Sequence, residues 1–374
     1  MKSNDGDGPG DRLGRNRVEF EIAGRGIGLG ETSDLALEIA RNASGRSINL
    51  PFRVCRGRAP GPTVFVVGAV HGDELNGTGI VRSLMLDAPF DLQRGTLVLV
   101  PVANIFGFER RSRYLPDRRD LNRSFPGIAD GSLASRMAHA LFHEIILKCD
   151  AGIDLHTASA GRTNYPNIRA DMSDPWTARL AAAFGSPLIV TGNGPNGSLR
   201  QAAVAAGVPT IVLEAGEVSK VEPSVVDYGV QGVVNVLAEL GMVEELPAVP
   251  PFRAEIRRAV WVRAAQGGFL RFHVAPGDLV EAGQAIATNA DLLGNEHGVL
   301  LAPDDGVVLG MTTLPVVLPG EPVCHIAIPE GGIAPIRRAL HHPADREVHA
   351  RLRDDLATNV VVTTRSEIPV PAVS

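Results

Sequence analysis

Between Gly61 and Met242, two hydrophobic patterns alternate along the chain. One is a continuous apolar run of strand length, found at Thr63–Val70, Thr96–Val102, Gly152–His156, Pro187–Val190 and Thr210–Glu214. The other has helical spacing, found at Gly77–Leu86, Ser132–Lys148, Trp176–Phe184, Ser198–Ala206 and Val225–Leu240. Strands that are apolar throughout are typical of sheets covered on both faces. The alternation predicts an α/β fold with a mixed or largely parallel sheet flanked by helices.

The remaining segments differ in composition and predict separate parts. The polar, Gly-rich residues 1–17 predict a disordered tail without the apolar core of a signal peptide. Residues 18–245 are predicted to form the α/β domain, entered through short strands. After a proline-rich joint, residues 252–332 show short apolar runs cut by turns, which predicts a small all-β unit. Residues 333–374 are predicted to be a C-terminal tail.

The turn and strand pattern of the β unit resembles the flattened barrel of biotinyl and lipoyl carrier domains. Such carriers attach their cofactor to a lysine on a hairpin tip, and no lysine follows Lys220. We therefore predict a structural appendage or a lid without an attached cofactor.

Charge and cysteine content restrict the class of protein. The formal net charge of -6 indicates no basic surface for nucleic acid or an anionic membrane. Three distant cysteines predict no disulfide framework, and no apolar stretch approaches the roughly 20 residues needed to span a bilayer. We predict a cytoplasmic protein. A homo-oligomer is compatible with the sequence, which favours no particular number of subunits.

Three side chains that follow apolar runs have the chemistry of a metal site. His71 and Glu74 come directly after Thr63–Val70, and His156 ends another run. Ligand sites form where the strands of an α/β sheet end, and catalytic zinc takes three nitrogen or carboxylate ligands plus water. We therefore predict one Zn2+ per chain, held by His71, Glu74 and His156. Asp154 would share a strand face with His156 and is a candidate to support it.

His139 and His143 are a competing pair, spaced four residues apart on a predicted helix. The segment that contains them does not match the HExxH motif, because its glutamate follows the second histidine. We interpret this pair as part of a helix surface.

Hydrolysis on zinc also needs a proton acceptor and a group that stabilises the oxyanion. Glu214 ends a buried strand and is the predicted base, with Glu217 in the following loop as the rival. The arginine-rich loop (residues 111–127) offers Arg113 to polarise the scissile carbonyl. Arginines in such a loop suit a substrate carboxylate, although a solvated basic loop is the more common reason for such a run.

The ordered motifs HGDE, RY…DLNRSFPG, DLHT and GSLRQAAVAAGVPTIVLEAGE resemble the succinylglutamate desuccinylase/aspartoacylase family, which is related to the zinc carboxypeptidases. The resemblance covers about residues 60–330. It implies a carboxypeptidase-like α/β domain with a small β domain. It also implies zinc ligation by His71, Glu74 and His156, and catalysis by Glu214 and Arg113.

The same resemblance implies that Asn122 and Arg123 bind a substrate carboxylate, and that Arg200 binds a second acidic group. The segment PDRR before DLNR departs from the aspartoacylase pattern, so neither N-succinylglutamate nor N-acetylaspartate is assigned as substrate.

Three functions are compatible with these residues. The first is a zinc-dependent deacylase acting on the amide bond of a small-molecule N-acyl amino acid. The second is a zinc carboxypeptidase that trims a peptide, because the Asn-Arg pair equally suits a terminal carboxylate. The third is a non-catalytic protein that binds a metal or an acyl ligand on the same scaffold.

Overall fold

The computed structural model describes residues 18–245, 250, 252–340 and 343–357. The predicted N-terminal tail and most of the proline-rich joint lie outside these residues. The chain forms two compact units. The first comprises residues up to Ala158 together with Pro166–Arg253, and the second comprises Ser159–Tyr165 together with residues from Ala254 onward. The predicted domain limits stay a prediction.

The first unit is built on a mixed sheet. Its strands are β1 (Phe20–Ile22), β2 (Arg25–Ile27), β3 (Thr32–Arg41), β4 (Ser47–Arg56), β5 (Ala59–Gly68), β6 (Arg94–Val100), β7 (Ala151–His156), β8 (Arg162–Ala170), β9 (Leu188–Thr191) and β10 (Thr210–Glu217). Strands β1 and β2 form a separate hairpin. The others lie in the order β9-β8-β10-β7-β5-β6-β4-β3. β10, β7, β5 and β6 run parallel, whereas β4 and β3 continue the sheet as antiparallel strands.

Helices connect these strands. They are α1 (Leu75–Leu86), α2 (Ile105–Arg110), α3 (Leu133–Glu144), α4 (Pro175–Phe184), α5 (Leu199–Ala205) and α6 (Pro223–Glu239). Two short 3-10 helices lie at Leu121–Arg123 and Ile146–Lys148. The mixed α/β class predicted from the alternation is confirmed.

Burial explains why the central strands are apolar throughout. In β5, every residue from Gly61 to Gly68 is buried, because β6 and β7 flank the strand in the sheet and α1 packs against it. Toward the antiparallel edge, β4 alternates between buried and exposed positions, which indicates that only one face is covered. The strands predicted as short before Arg58 include two of 10 residues, β3 and β4.

The second unit contains the strands β11 (Ala254–Arg263), β12 (Gly268–Phe272), β13 (Leu279–Val280), β14 (Ala285–Ala290), β15 (Glu296–Leu301), β16 (Gly306–Thr312), β17 (Val316–Val317) and β18 (Pro322–Pro329). They form the groups β13-β16-β18-β11 and β15-β14-β12-β17, whose apolar side chains share one core. The first residues of β8, 162–164, belong to this unit and pair with β16, whereas the rest of β8 from Pro166 belongs to the first unit. The likeness to biotinyl and lipoyl barrels stays a prediction.

The segment predicted as a C-terminal tail contains two helices, α7 (Ala334–Ala339) and α8 (Pro343–Ala357). Leu352 and Leu356 are buried, and Arg353 forms an ion pair with Asp278 of the second unit. This part of the segment therefore belongs to the second unit. No helix within the described ranges is long and apolar enough to cross a membrane.

Candidate metal centre and active site

The turn after β5 brings His71 and Glu74 to the end of the sheet. The Glu74 N–H donates to the His71 carbonyl at 3.2 Å, and α1 begins at the next residue. Gly72 packs directly on α2, where a Cβ atom would lie 2.1 Å from the Gly107 carbonyl carbon. Any larger residue at position 72 would therefore push the His71 and Glu74 side chains out of place.

Glu74 joins both histidines. Its Oε1 lies 2.7 Å from His71 Nδ1, and its Oε2 lies 2.8 Å from His156 Nδ1. The backbone N–H of Thr157 also donates to Oε2, at 3.1 Å. Potential ligand atoms of His71, Glu74 and His156 (the triad) all lie within 4.8 Å of one another, and all three residues are buried. Segments 82 residues apart thus meet at one point.

Each histidine faces a second carboxylate on the other side of its ring. His156 Nε2 lies 3.0 Å from Asp154 Oδ2, and His71 Nε2 lies 3.2 Å from Asp120 Oδ1. Burial alone would lower the pKa of His156, but the charges of Asp154 and Glu74 raise it well above its usual range. Burial would likewise raise the pKa of Glu74, yet the two histidines lower it well below its usual range.

This donor set fits a zinc ion. Two imidazole nitrogens and one carboxylate directed at the same point are the protein ligands of a catalytic zinc site. A histidine that binds a metal through one nitrogen usually directs the other toward a carboxylate, and here Asp154 and Asp120 lie on that side of the two rings. Across the described part of the chain, the triad is the group of three such side chains that could hold a metal.

Arg113 and Asp120 connect the arginine-rich loop to the triad. Arg113 Nη1 donates to Glu74 Oε1 at 3.4 Å, and its Nη2 donates to Asp120 Oδ2 at 3.0 Å. Burial would raise the pKa of Asp120, but His71 and Arg113 lower it well below its usual range. The predicted carbonyl-polarising arginine therefore lies beside the triad, held by an aspartate that the sequence analysis missed.

Asn122 and Arg123 lie further along the same loop. The Asn122 side chain accepts a hydrogen bond from the Leu199 N–H at 2.9 Å, which ties the loop to the start of α5. Arg123 is exposed, and its Nη1 donates to the Asn122 carbonyl at 2.6 Å. Arg123 is thus available to a ligand, whereas Asn122 already has a structural contact.

Glu214 lies beside a triad residue because β10 and β7 are parallel neighbours in which Glu214 pairs with His156. Its side chain is 17% exposed and lies 3.5 Å from Arg169 Nε. The rival Glu217 is the last residue of β10 rather than part of the following loop, and it forms an ion pair with Lys220. This arrangement favours Glu214 as the proton acceptor.

Arg200 and Arg169 place positive charge near Glu214. Arg200 lies in the first turn of α5 and is 6% exposed. Burial, followed by the positive charge of Arg169, lowers the pKa of Arg200 to about 10. The sequence analysis missed Arg169, since β8 lacks a continuous apolar run, although Thr163 and Tyr165 give it a weak alternation.

His139 and His143 lie on α3 with their rings tilted to each other and the ring centroids 4.2 Å apart, and they do not join the triad. Their helix packs through its apolar residues, including Met137 and Leu141, into the core of the first unit. Their interpretation as part of a helix surface agrees with this placement.

Known proteins resemble this chain over most of its length. The family model of the succinylglutamate desuccinylase/aspartoacylase catalytic domain matches residues 60–240. The N-alpha-acetyl-L-2,4-diaminobutyric acid deacetylase of Halomonas elongata is 27% identical over 288 residues, which cover 74% of this chain and 82% of that protein.

Two solved structures have the same fold. A succinylglutamate desuccinylase/aspartoacylase from Rhodobacter sphaeroides superposes with a TM-score of 0.69 at 25% identity, covering 80% of this chain and 96% of its own. The product-bound ectoine utilization protein EutE from Ruegeria pomeroyi has a TM-score of 0.69 at 22% identity, covering 79% and 95%. At this lower identity, the second similarity shows the fold alone.

A mixed α/β sheet with a histidine–glutamate–histidine triad at its strand ends defines an α/β protein with a candidate metal centre. The matching relatives include a deacetylase. Residues 60–240 belong to the succinylglutamate desuccinylase/aspartoacylase family, a family of deacylases, as its catalytic domain, so the family predicted from the motifs is confirmed.

Proposed function

We propose that this chain is a zinc-dependent hydrolase that cleaves the amide bond of an N-acyl amino acid. The observation that carries the proposal is the register of β10 against β7, which sets Glu214 beside His156 of the triad. A proton acceptor next to a three-ligand metal set is the minimum arrangement for metal-assisted hydrolysis.

In this proposal His71, Glu74 and His156 hold the zinc ion. When bound, zinc supplies Lewis acidity that polarises an amide carbonyl and makes a water molecule more acidic near neutral pH. Asp154 and Asp120 orient the two imidazole rings through their Nε2 sides. Their support keeps the Nδ1 atoms directed at a common point.

Glu214 accepts the proton of the attacking water and then passes it to the leaving amine nitrogen. Arg113 donates from its guanidinium to the carbonyl oxygen as negative charge develops there. Its contacts with Glu74 and Asp120 hold that guanidinium beside the triad before substrate arrives. Little rearrangement is then needed during the reaction.

The substrate is an N-acyl amino acid whose carboxylate binds Asn122 and Arg123, while Arg200 binds a second acidic group. Arg123 is exposed, and an arginine can grip a carboxylate through two parallel hydrogen bonds. The relative from Halomonas elongata is named for N-acetyl-diaminobutyric acid, so acetylated amino acids are the first substrates to test. The bond that is cleaved is a linear amide other than a typical peptide bond.

The test incubates zinc-loaded protein with a panel of N-acyl amino acids and short peptides, and detects products by mass spectrometry. Chelated protein and Glu214→Gln are the inactive controls, while Glu217→Gln is the matched control from the same segment. We expect zinc-dependent release of free amino acids, reduced by about 100-fold or more in Glu214→Gln with zinc still bound.

Full activity of Glu214→Gln would overturn the proposed mechanism. Removal of C-terminal residues from the peptides, with no deacylation, would replace the proposal by the carboxypeptidase function. Absence of either activity in zinc-loaded protein would favour a binding protein.

A further inference from the structure

Arg169 lies next to the proposed base Glu214 but takes no part in the proposed mechanism. Arg169 lies on β8, which neighbours β10 in the sheet, and its Nε atom is 3.5 Å from Glu214 Oε1. Two residues earlier on β8, Asn167 Nδ2 donates to the backbone carbonyl of Glu214 at 3.3 Å. Strand β8 thus contacts both the main chain and the carboxylate of this glutamate.

A second guanidinium restricts where the Arg169 side chain can lie. Arg200 is 6% exposed, and its Nη1 has no hydrogen-bond partner among the described residues. Arg169 and Arg200 carry like charges that repel each other, and this repulsion adds to the effect of burial, which is the main cause of the lowered pKa of Arg200. The ion pair with Glu214 offsets this repulsion and directs Arg169 toward the base.

The ion pair restricts a side chain that has several rotatable bonds. The Glu214 side chain is 17% exposed, and its contact with the Arg169 guanidinium removes orientations that these bonds would otherwise allow. A proton acceptor misplaced by about 1 Å can reduce the rate by about 100-fold. A contact at Oε1 would fix the carboxylate and leave Oε2 for the water.

We propose that Arg169 is a positioning residue that holds the Glu214 carboxylate in its proton-accepting orientation. The inference rests on the proposed function, in which Glu214 takes a proton from water and returns it to the amine. Arg169 exchanges no proton in that sequence, because an arginine stays charged throughout the working pH range. It acts on the reaction through Glu214 alone.

The kinetic test compares Arg169→Ala and Arg169→Lys with wild type on a substrate that the wild type hydrolyses. We expect Arg169→Ala to lower kcat by about 10- to 100-fold with KM changed less than about twofold. Arg169→Lys, or guanidinium ion added to the alanine variant, should restore part of kcat. Arg179→Ala is the matched control, since Arg179 pairs with Glu239.

A loss confined to KM would instead make Arg169 a substrate contact and overturn the proposal, as would an unchanged kcat. Thermal unfolding and zinc content are measured on every variant. A drop in kcat that follows a drop in either of these, without rescue by guanidinium, would show a structural role and also overturn it.

A second measurement does not depend on activity. Crystal structures of zinc-loaded wild type and Arg169→Ala should show one ordered Glu214 carboxylate in the wild type and a displaced or multiple one in the variant. An identical Glu214 in both would overturn the positioning role. If the wild type hydrolyses no substrate, the proposed function fails, while this comparison still decides what Arg169 does to Glu214.

Discussion

The triad and the arginine-rich loop are both rich in charge, yet the triad is buried and most of the loop arginines are exposed. The triad residues His71, Glu74 and His156 are at most 5% exposed, and each contacts an oppositely charged group. Most arginines of the loop are exposed, namely Arg111, Arg118, Arg119 and Arg123. A buried charge is costly unless it is paired, whereas an exposed ion pair contributes little to stability. Removing any charged partner of the triad should therefore disturb the whole site, whereas removing one exposed arginine of the loop should remove only the contact that this arginine makes.

Arg113 and Asp120 belong to the loop by sequence and to the triad by structure. Both are partly buried, and Asp120 lies within 3.2 Å of the His71 ring. Position in the chain is therefore a poor guide to which charges act together. The following variants test this division, beginning with the largest expected effect.

Glu74→Gln should produce the largest loss. We expect zinc affinity to fall by more than about 100-fold, since removing a ligand exceeds the effect of removing an outer partner. Metal content measured after dialysis against limiting zinc checks this. Glu144→Gln is the matched control, because Glu144 is exposed on α3 and pairs with Lys148. Normal zinc content in Glu74→Gln would remove Glu74 from the metal site.

Asp120→Asn should produce the second largest loss of zinc affinity, although Asp120 is not one of the three proposed zinc ligands. The change removes the carboxylate that faces His71 Nε2 and Arg113, and we expect zinc affinity to fall by about 10- to 100-fold. Competition with a fluorescent chelator measures it. Asp117→Asn alters the same loop without touching the triad and should bind zinc normally. Equal affinities for both variants would contradict the link between the loop and the triad.

Arg123→Ala should affect substrate binding alone. Loss of one charged hydrogen bond is worth about 1.5 kcal/mol or more, which corresponds to a rise of about tenfold in KM with kcat unchanged. Arg119→Ala, an exposed neighbour in the same loop, should change neither KM nor stability by more than about 0.5 kcal/mol. Steady-state kinetics and urea unfolding test both. Equal KM values for Arg123→Ala and the wild type would indicate that Arg123 faces solvent and binds no substrate.

The smallest expected effect is the release of protons when zinc binds. Burial would lower the pKa of both triad histidines, but nearby carboxylates raise the pKa of His156 well above its usual value and raise that of His71 as well. Zinc binding must displace the protons that these rings carry, so zinc affinity should rise with pH, with a release of about one to two protons at pH 7. Calorimetry in buffers of different ionisation enthalpy counts the protons.

Asp154→Asn removes a charge that raises the pKa of His156. The variant should therefore release fewer protons at pH 7 and show a weaker dependence of zinc affinity on pH. A proton count equal to that of the wild type would show that Asp154 does not act on His156.

The elements with strong periodicity were predictable from the sequence. Most helix boundaries agree within two residues, except that α3 ends at Glu144 rather than Lys148. The strands that end near the triad, β5, β7 and β10, were also expected, because strands buried on both faces must be apolar. The short helix α2 and the strand β8 were missed, since neither has a continuous apolar run.

Hydrophobic patterning and motif order in the sequence were enough to define the α/β class, the family and the residues of the triad. These features are local, or follow from the rule that strands of such a sheet end at one edge. Strand alternation already offered Asp154 as the carboxylate beside His156, whereas only the tertiary structure selected Asp120 as the carboxylate facing His71 and set Arg169 against Glu214. Charge interactions within a buried site depend on ångström distances between distant segments, and no spacing along the chain encodes those distances.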